Sequence, residues 1–450
     1  MKIIKDLCKI FDCDDKKILY NGFDNTITEL DNQIEEALND TKGVYFNEYF
    51  TEVFCEYDIE DIKLKANNML SHAIISLTDD CNLRCKYCGY HDTRYKNSNS
   101  LKDIDEITLK KALDFIIDHS VDAYETGISF YGGEPLLRFD LIKFAIKYLE
   151  DRNYHGHKYS YNVTTNCTLL NSEVIDYFVE KNILCAISLD GPIFIHDRYR
   201  VYEDGNPTHI DIMKNLKRIA KKSPKYYEEK IIFQAVVSPP YEYHIPKDYF
   251  GKKEVRFIDV SIGDYFSELL KNEYGLDLSG FEIKKENELM LMKMSDMSKD
   301  ELIKNINYIG SLEKYMGIGE KDIRSSIFPS GFCIPLVTRI FIGTTGRIGL
   351  CERVDEDNQH FQLGDIIAGY DFDRINLLYK HTSAILAEHC NKCWAFRFCR
   401  ACYKNLDMIK FDGDFCNLIR CEIEQDIKTF LEFKRGNKRF KEIMQSISID

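Results

Sequence analysis

AIISLTDDCNLRCKYC, residues 73–88, is the stretch on which the fold turns. AIISL is short, apolar and rich in β-branched residues, as a buried strand is. Cys81, Cys85 and Cys88 follow at once, spaced C-x3-C-x2-C. Thiols this close in sequence are poor disulfide partners. They are good ligands for one metal centre, because thiolate is the soft ligand that iron–sulfur chemistry selects. Three thiolates hold three irons of a [4Fe-4S] cluster and leave the fourth open. A structural zinc site wants four closed ligands, and three thiols with no neighbouring histidine do not supply them.

Outward from this stretch the pattern alternates. Strand-like runs recur at GISFY (127–131), SYNVTTN (160–166), LCAISL (184–189), IIFQAVV (231–237) and EVRFIDV (254–260). Between most of them lie amphipathic helical stretches such as TLKKALDFIIDH, LIKFAIKYLEDR, EVIDYFVEKN and IDIMKNLKRIA. Buried strands alternating with helices predict a parallel sheet of βα units, an α/β fold. Six strands over residues 71–262 make a partial (β/α)6 barrel, whose active residues belong at the C-terminal strand ends. The three cysteines follow the first strand, at such an end.

Other strand ends carry polar or glycine-rich runs. YGGEPLL supplies Gly132, Gly133, Glu134 and Pro135 after the second strand. Two glycines let a ligand approach the backbone, and a carboxylate accepts from an ammonium group. TTN (Thr164, Thr165, Asn166) closes the third strand and SLDGP (Ser188, Asp190, Gly191, Pro192) the fourth, with Arg198 and Arg200 beyond in HDRYR. Hydroxyls, an amide and a carboxylate there suit a ribose or a carboxylate-bearing ligand. The same residues serve equally as helix caps and turns, and the arginines as surface ion pairs.

The C-terminal third holds a second set of cysteines. Cys333, Gly346 and Cys351 form C-x12-G-x4-C. Cys390, Cys393, Cys399 and Cys402 follow as C-x2-C-x5-C-x2-C, then Cys416 and Cys421. Taken alone, Cys390 to Cys402 also fits a zinc ribbon.

With 450 residues, 44% of them hydrophobic and 30% charged, the chain is globular and large enough for two or three units. Its 16 cysteines point to metal or catalysis in a reducing compartment. No run is apolar enough to span a bilayer and the start forms no secretory signal, so a cytoplasmic protein with no membrane partner is expected. A net charge of −14 argues against binding a nucleic-acid backbone. Residues 1–70 read as a small N-terminal α+β domain, 263–330 as a helical connector, 331–425 as the cysteine-rich domain and 426–450 as a charged helical tail.

The C-x3-C-x2-C spacing, with Tyr87 before the last cysteine, resembles the signature of the radical SAM enzymes, and GGEP stands where that family places it. The later cysteines resemble the SPASM domain. The resemblance covers roughly residues 71–425. It implies S-adenosylmethionine (SAM) bound at the open iron, with Gly132, Gly133, Glu134 and Pro135 at its amino group. Thr165, Asn166, Ser188 and Asp190 would line the same pocket, with Arg200 near the SAM carboxylate. It implies three [4Fe-4S] clusters in all. Cys333, Cys351 and Cys402 would bind the first auxiliary cluster, closed by Cys421 or left with an open iron. Cys390, Cys393 and Cys399 would bind the second, closed by Cys416 or Cys421. Only Arg400 and Ala401 separate the last two cysteines of the quartet, one residue fewer than the common pattern.

By this resemblance, SAM is cleaved to a 5′-deoxyadenosyl radical that takes hydrogen from an unactivated carbon. The expected activity is maturation of a ribosomally made precursor peptide by thioether crosslinking, as in sactipeptide and ranthipeptide synthases. Residues 1–70 would be a leader-peptide recognition element or a structural cap. An electron donor such as flavodoxin or ferredoxin is implied as a partner. Carbon–carbon crosslinking, formylglycine formation by an anaerobic sulfatase maturase and a non-catalytic iron–sulfur electron carrier are the alternatives.

Overall fold

The computed structural model describes residues 7–13, 16–31, 59–88, 102–153, 156–237, 249–250, 255–259, 315, 317–320, 329–337, 339–354, 356, 358–411 and 413–436. The chain divides into two compact units, both assembled from separated segments. One comprises Met1–Glu56, Ile262–Cys333 and Tyr379–Asp450, the other Tyr57–Ser261 and Ile334–Leu378.

In the first unit β1 (Cys8–Cys13), β2 (Lys16–Asn21) and β3 (Thr26–Glu29) form an antiparallel sheet in that order. Its apolar side chains Phe11, Leu19 and Tyr20 are buried. Phe11 and Tyr20 meet the Trp394 ring edge-on, with centroids 5.8 and 6.4 Å away. The turn after β2 lies against the same segment. A Cβ on Gly22 would stand 2.7 Å from the Trp394 carbonyl oxygen, and Arg397 donates to the carbonyls of Gly22 (2.6 Å) and Phe23 (2.8 Å). The N-terminal hairpin thus packs on the cysteine-rich segment 390–399.

The second unit holds the expected α/β architecture. β4 (His72–Thr78), β5 (Thr126–Gly132), β6 (Tyr159–Thr165), β7 (Leu184–Ser188), β8 (Ile231–Val237) and β9 (Val255–Asp259) lie side by side in chain order, all parallel. Helices α1 (Ile59–Asn68), α2 (Glu106–His119), α3 (Phe139–Arg152), α4 (Ser172–Glu180), α5 (Ile193–Tyr199), α6 (His209–Lys222) and α7 (Pro224–Lys230) precede or connect them. The amphipathic pattern explains their placement. Leu109, Ala112, Leu113 and Ile116 form one buried stripe on α2, whose first turn is capped by Asp105 accepting from Thr108 N–H. The sheet is not closed.

The strand pattern misses an extension on the other side of β4. β10 (Ile340–Ile342) pairs with it in parallel, and β11 (Arg347–Gly349), β12 (Gln362–Asp365) and β13 (Gly369–Tyr370) follow as an antiparallel meander, giving ten strands. Cys351 therefore sits in this unit, whereas Cys333 and the cysteines from Cys390 onward sit in the other. Beyond α8 (Phe372–His389) and α9 (Leu406–Phe411), α10 (Gly413–Gly436) takes in the start of the expected tail. Most of the expected connector 263–330 lies outside the described residues. Among those described, no helix is long and apolar enough to cross a membrane.

Candidate functional site

The cysteine loop leaves the C-terminal end of β4 and is laced to the end of β5. Gly133 N–H donates to the Thr78 carbonyl and Glu134 N–H to that of Asp80, each at 2.8 Å. A Cβ on Gly132 would stand 2.2 Å from the Thr78 oxygen, and one on Gly133 would stand 2.1 Å from that of Asp80. Gly132 also has φ +133°, which only glycine adopts without strain. The glycines thus make room for the backbone that carries the cysteines.

Glu134 faces inward and is 1% exposed. Its Oε1 accepts from Thr165 Oγ1 (2.7 Å) and Leu136 N–H (3.0 Å), and Oε2 accepts from Asn166 N–H (2.7 Å). Burial outweighs these donors and pushes its carboxyl up to about 7. Pro135 opens the buried turn Pro135–Arg138. The Asn166 amide donates to Asn82 Oδ1 at 2.8 Å and stands 3.8 Å from Cys81 Sγ, towards which Leu83 N–H also points at 3.4 Å. Thr165 and Asn166 thereby join Glu134 to the cysteine loop.

On the other side stand Asp190 and Arg200. Asp190 is 2% exposed and receives Arg200 Nε on both oxygens at 3.1 Å, Tyr87 hydroxyl on Oδ2 at 2.5 Å and Val236 N–H on Oδ1 at 2.9 Å. Arg200 Nη1 reaches Cys85 Sγ at 3.8 Å, and the guanidinium lies over the Tyr87 ring, 5.3 Å from its centroid. Beneath them His196 is fully buried, which holds it neutral with a pKa near about 2. Ser188 ends β7 half-buried, opposite Gln234 of β8.

Burial pushes the Cys81 thiol up to about 11 and the Cys85 thiol up to about 12. A bound cation offsets that cost by taking the thiolate form. Among the described residues no three His, Cys, Asp or Glu side chains are spaced as ligands of a single metal ion. Three thiols with N–H donors aimed at two of their sulfurs suit instead a cluster whose thiolates bind separate irons.

In the other unit, burial and the charges of Cys393, Cys399 and Cys416 push Cys390 up, as for thiols held close together, whereas Cys421 is exposed. The segment before Cys333 packs on the quartet: Gly331 N–H donates to the Cys399 carbonyl at 2.9 Å, and a Cβ there would stand 2.4 Å from the Arg400 oxygen. Cys402 N–H donates to Asn405 Oδ1 at 3.1 Å.

One further group escaped sequence reasoning. Glu352, next to Cys351, has a side chain only 9% exposed, and its Oε2 has no hydrogen-bond partner among the described residues. Oε1 stands 3.8 Å from Arg339 and 3.6 Å from Arg353. Burial and the charges of Glu352 and Cys88 push the Tyr131 phenol up. A buried half-paired carboxylate is costly unless it has work to do. Its only sequence signal was an acid beside a candidate ligand, among 74 Asp and Glu.

Residues 75–252 match the radical SAM superfamily. The chain is similar to the cysteine-type anaerobic sulfatase-maturating enzyme of Clostridium novyi (strain NT), 31% identical over 194 residues, which are 42% of this chain and 50% of that protein. It is also similar to the radical SAM cyclopropyl synthase TigE of Paramaledivibacter caminithermalis, 24% identical over 252 residues, which are 53% of this chain and 51% of that protein. The chain thus spans about half the length of these two curated relatives. The solved structure of native anSMEcpe with bound AdoMet and Cp18Cys peptide shares the fold, with TM-score 0.58 and 20% identity over 84% of this chain and 99% of that one. The thiol loop at the strand end of the parallel sheet thus lies inside the segment, residues 75–252, that matches the radical SAM superfamily.

Proposed function

We propose that the chain oxidises a side chain within a polypeptide substrate, removing a hydrogen atom and then a proton from the same residue. The supporting observation is the Glu352 carboxylate, buried with one oxygen free to accept that proton. Cys81, Cys85 and Cys88 would hold a [4Fe-4S] cluster with SAM and the C-terminal cysteines auxiliary clusters, groups that would supply the hydrogen-abstracting radical and an electron acceptor. The protein's own part is geometric. Gly132 to Pro135, Thr165, Asn166 and Ser188 shape the pocket wall beside the thiol loop, and Glu352 takes the proton.

Two outcomes fit this chemistry. In a ribosomally made precursor peptide, a cysteine S–H adds across the unsaturated bond so formed, its sulfur to the oxidised carbon and its hydrogen to the atom that gave up the proton, leaving a thioether. In a sulfatase-type substrate, serine so oxidised is formylglycine directly, and cysteine becomes a thioaldehyde that water converts to formylglycine with release of hydrogen sulfide, a reading that the likeness to a sulfatase-maturating enzyme supports. A flavodoxin or ferredoxin as donor and a cytoplasmic setting belong to both.

The test is Glu352→Gln, assayed anaerobically with a cysteine-bearing model precursor peptide and with a cysteine-bearing sulfatase peptide. We expect 5′-deoxyadenosine release to persist while product formation falls about 100-fold or more. Loss of two hydrogens with disappearance of a thiol identifies the thioether; exchange of sulfur for a carbonyl oxygen identifies formylglycine. Full product formation by the variant removes Glu352 from the chemistry, and two unchanged peptides with the unaltered enzyme overturn the substrate class.

A further inference from the structure

The cysteine loop has a backbone partner that its sequence does not announce. Arg84 N–H donates to the Val201 carbonyl at 2.8 Å and Lys86 N–H to that of Tyr199 at 3.0 Å, while Leu83 and Tyr202 form an antiparallel bridge. Tyr199, the last residue of α5, and the three residues after it therefore run alongside the loop between its cysteines. Arg200 sits within this segment and turns its guanidinium to Cys85 and Tyr87.

Two buried groups keep Arg200 there. Asp190 holds Nε with both oxygens and receives the Tyr87 hydroxyl as well, so one carboxylate ties the strap to the residue just before Cys88. His196 connects the two backbones. Its Nδ1 accepts from Asp190 N–H (3.2 Å), which leaves the proton on Nε2 to be donated to Thr208 Oγ1 (3.0 Å), and the Thr208 hydroxyl donates to the Arg200 carbonyl (2.9 Å). Asp190 and Arg200 are thus fixed relative to each other through side chains and main chain alike.

We propose that segment 199–202 is a strap that sets the position and charge of the cysteine loop, with Arg200 a positioning residue for Cys85 held by Asp190 and His196. This rests on Cys81, Cys85 and Cys88 being cluster thiolates. It adds to a pocket role for Arg200 a function exerted on the iron–sulfur centre itself. A guanidinium N–H at a thiolate sulfur stabilises the more negative, reduced centre, and so raises its reduction potential.

The experiment uses full-length protein reconstituted anaerobically, comparing Arg200→Gln, Arg200→Lys and Asp190→Asn with the unaltered chain. Iron content, SAM affinity by calorimetry and the midpoint potential by EPR-monitored titration are read. A Cys81/Cys85/Cys88→Ala protein supplies the background to subtract. Arg200→Gln should shift the potential of the subtracted centre to more negative values and lower its iron occupancy. Arg200→Lys, which keeps the charge without the fork, should recover part of the potential but not of the occupancy. Asp190→Asn should move both in the direction of Arg200→Gln. Unchanged potential and iron in Arg200→Gln, with SAM affinity alone weakened, overturns the strap and leaves Arg200 as a SAM ligand only. Should that variant fail to fold by circular dichroism, Asp190→Asn with unchanged potential and occupancy overturns it instead. Equal iron in the unaltered and triple-alanine proteins would show that these thiols hold no cluster, a failure of the underlying reading distinct from failure of the strap.

Discussion

Arg200 and Arg397 are both buried, and each holds a cysteine segment against a piece of chain remote in sequence. Arg200 does so through a carboxylate: Asp190 takes its Nε, Nη1 faces Cys85, and the guanidinium lies over the Tyr87 ring. Arg397, between Cys393 and Cys399, instead donates to two main-chain carbonyls, Gly22 and Phe23, in the turn of the N-terminal hairpin. The first arrangement puts a positive group at a sulfur and tunes charge. The second is mechanical, a key in a turn whose shape Gly22 allows. The contrast also bears on residues 1–31. Removing them would bare Trp394 and the segment around Cys393 and Cys399, so loss of activity on truncation would not by itself distinguish leader recognition from structural support.

The largest effect is expected where the cysteine loop meets β5. Gly132→Ala combines a φ of +133° with a Cβ 2.2 Å from the Thr78 oxygen, so a destabilisation of about 4 kcal/mol is expected, with loss of iron from the SAM-site cysteines. Denaturant unfolding and iron analysis check it; a stable, iron-replete variant would break the view that this loop is set by close backbone packing.

Next in size is Arg397→Met, which leaves the Gly22 and Phe23 carbonyls without this donor. It should cost about 2–3 kcal/mol and alter the EPR signal of the C-terminal cysteines while sparing that of Cys81, Cys85 and Cys88. Equal change in both signals would erase the distinction drawn between the two arginines.

A further, pH-dependent effect sharpens the electrostatic side. Burial raises the Glu134 carboxyl from 4.5 to about 7, so the folded state holds its proton more tightly than the unfolded chain. That contribution is fully present below about pH 4.5 and is lost as pH rises through about 7. Over this window the apoprotein should lose up to about 1.4 kcal/mol per pH unit, a slope that Glu134→Gln removes. Stability curves at several pH values would show it, and parallel curves for the two proteins would mean that the three donors to Glu134 cancel its burial.

Much of the architecture could be read directly. The parallel strands β4 to β9 are short runs rich in β-branched and aromatic residues, with amphipathic helices between most of them, and the C-x3-C-x2-C spacing is a local pattern, so neighbouring residues carried both. Of the residues singled out at the strand ends, Gly132, Gly133, Glu134, Asn166, Asp190 and Arg200 touch that loop. Their partners were not legible: the glycines serve the Thr78 and Asp80 carbonyls, and Arg200 engages Asp190 and Cys85. The extension β10 to β13 escaped because its strands are two to four residues long, too short to show periodicity.

Local propensity and ligand spacing are properties of short segments, and so the sequence by itself determined the parallel sheet, the helices around it and the identity of the candidate thiols. Tertiary structure decided which remote segments hold them: the strap 199–202 on the cysteine loop, the N-terminal hairpin on the quartet, and the lone oxygen of Glu352. Those depend on burial and on contacts between residues tens to hundreds of positions apart, and no window along the chain contains both partners.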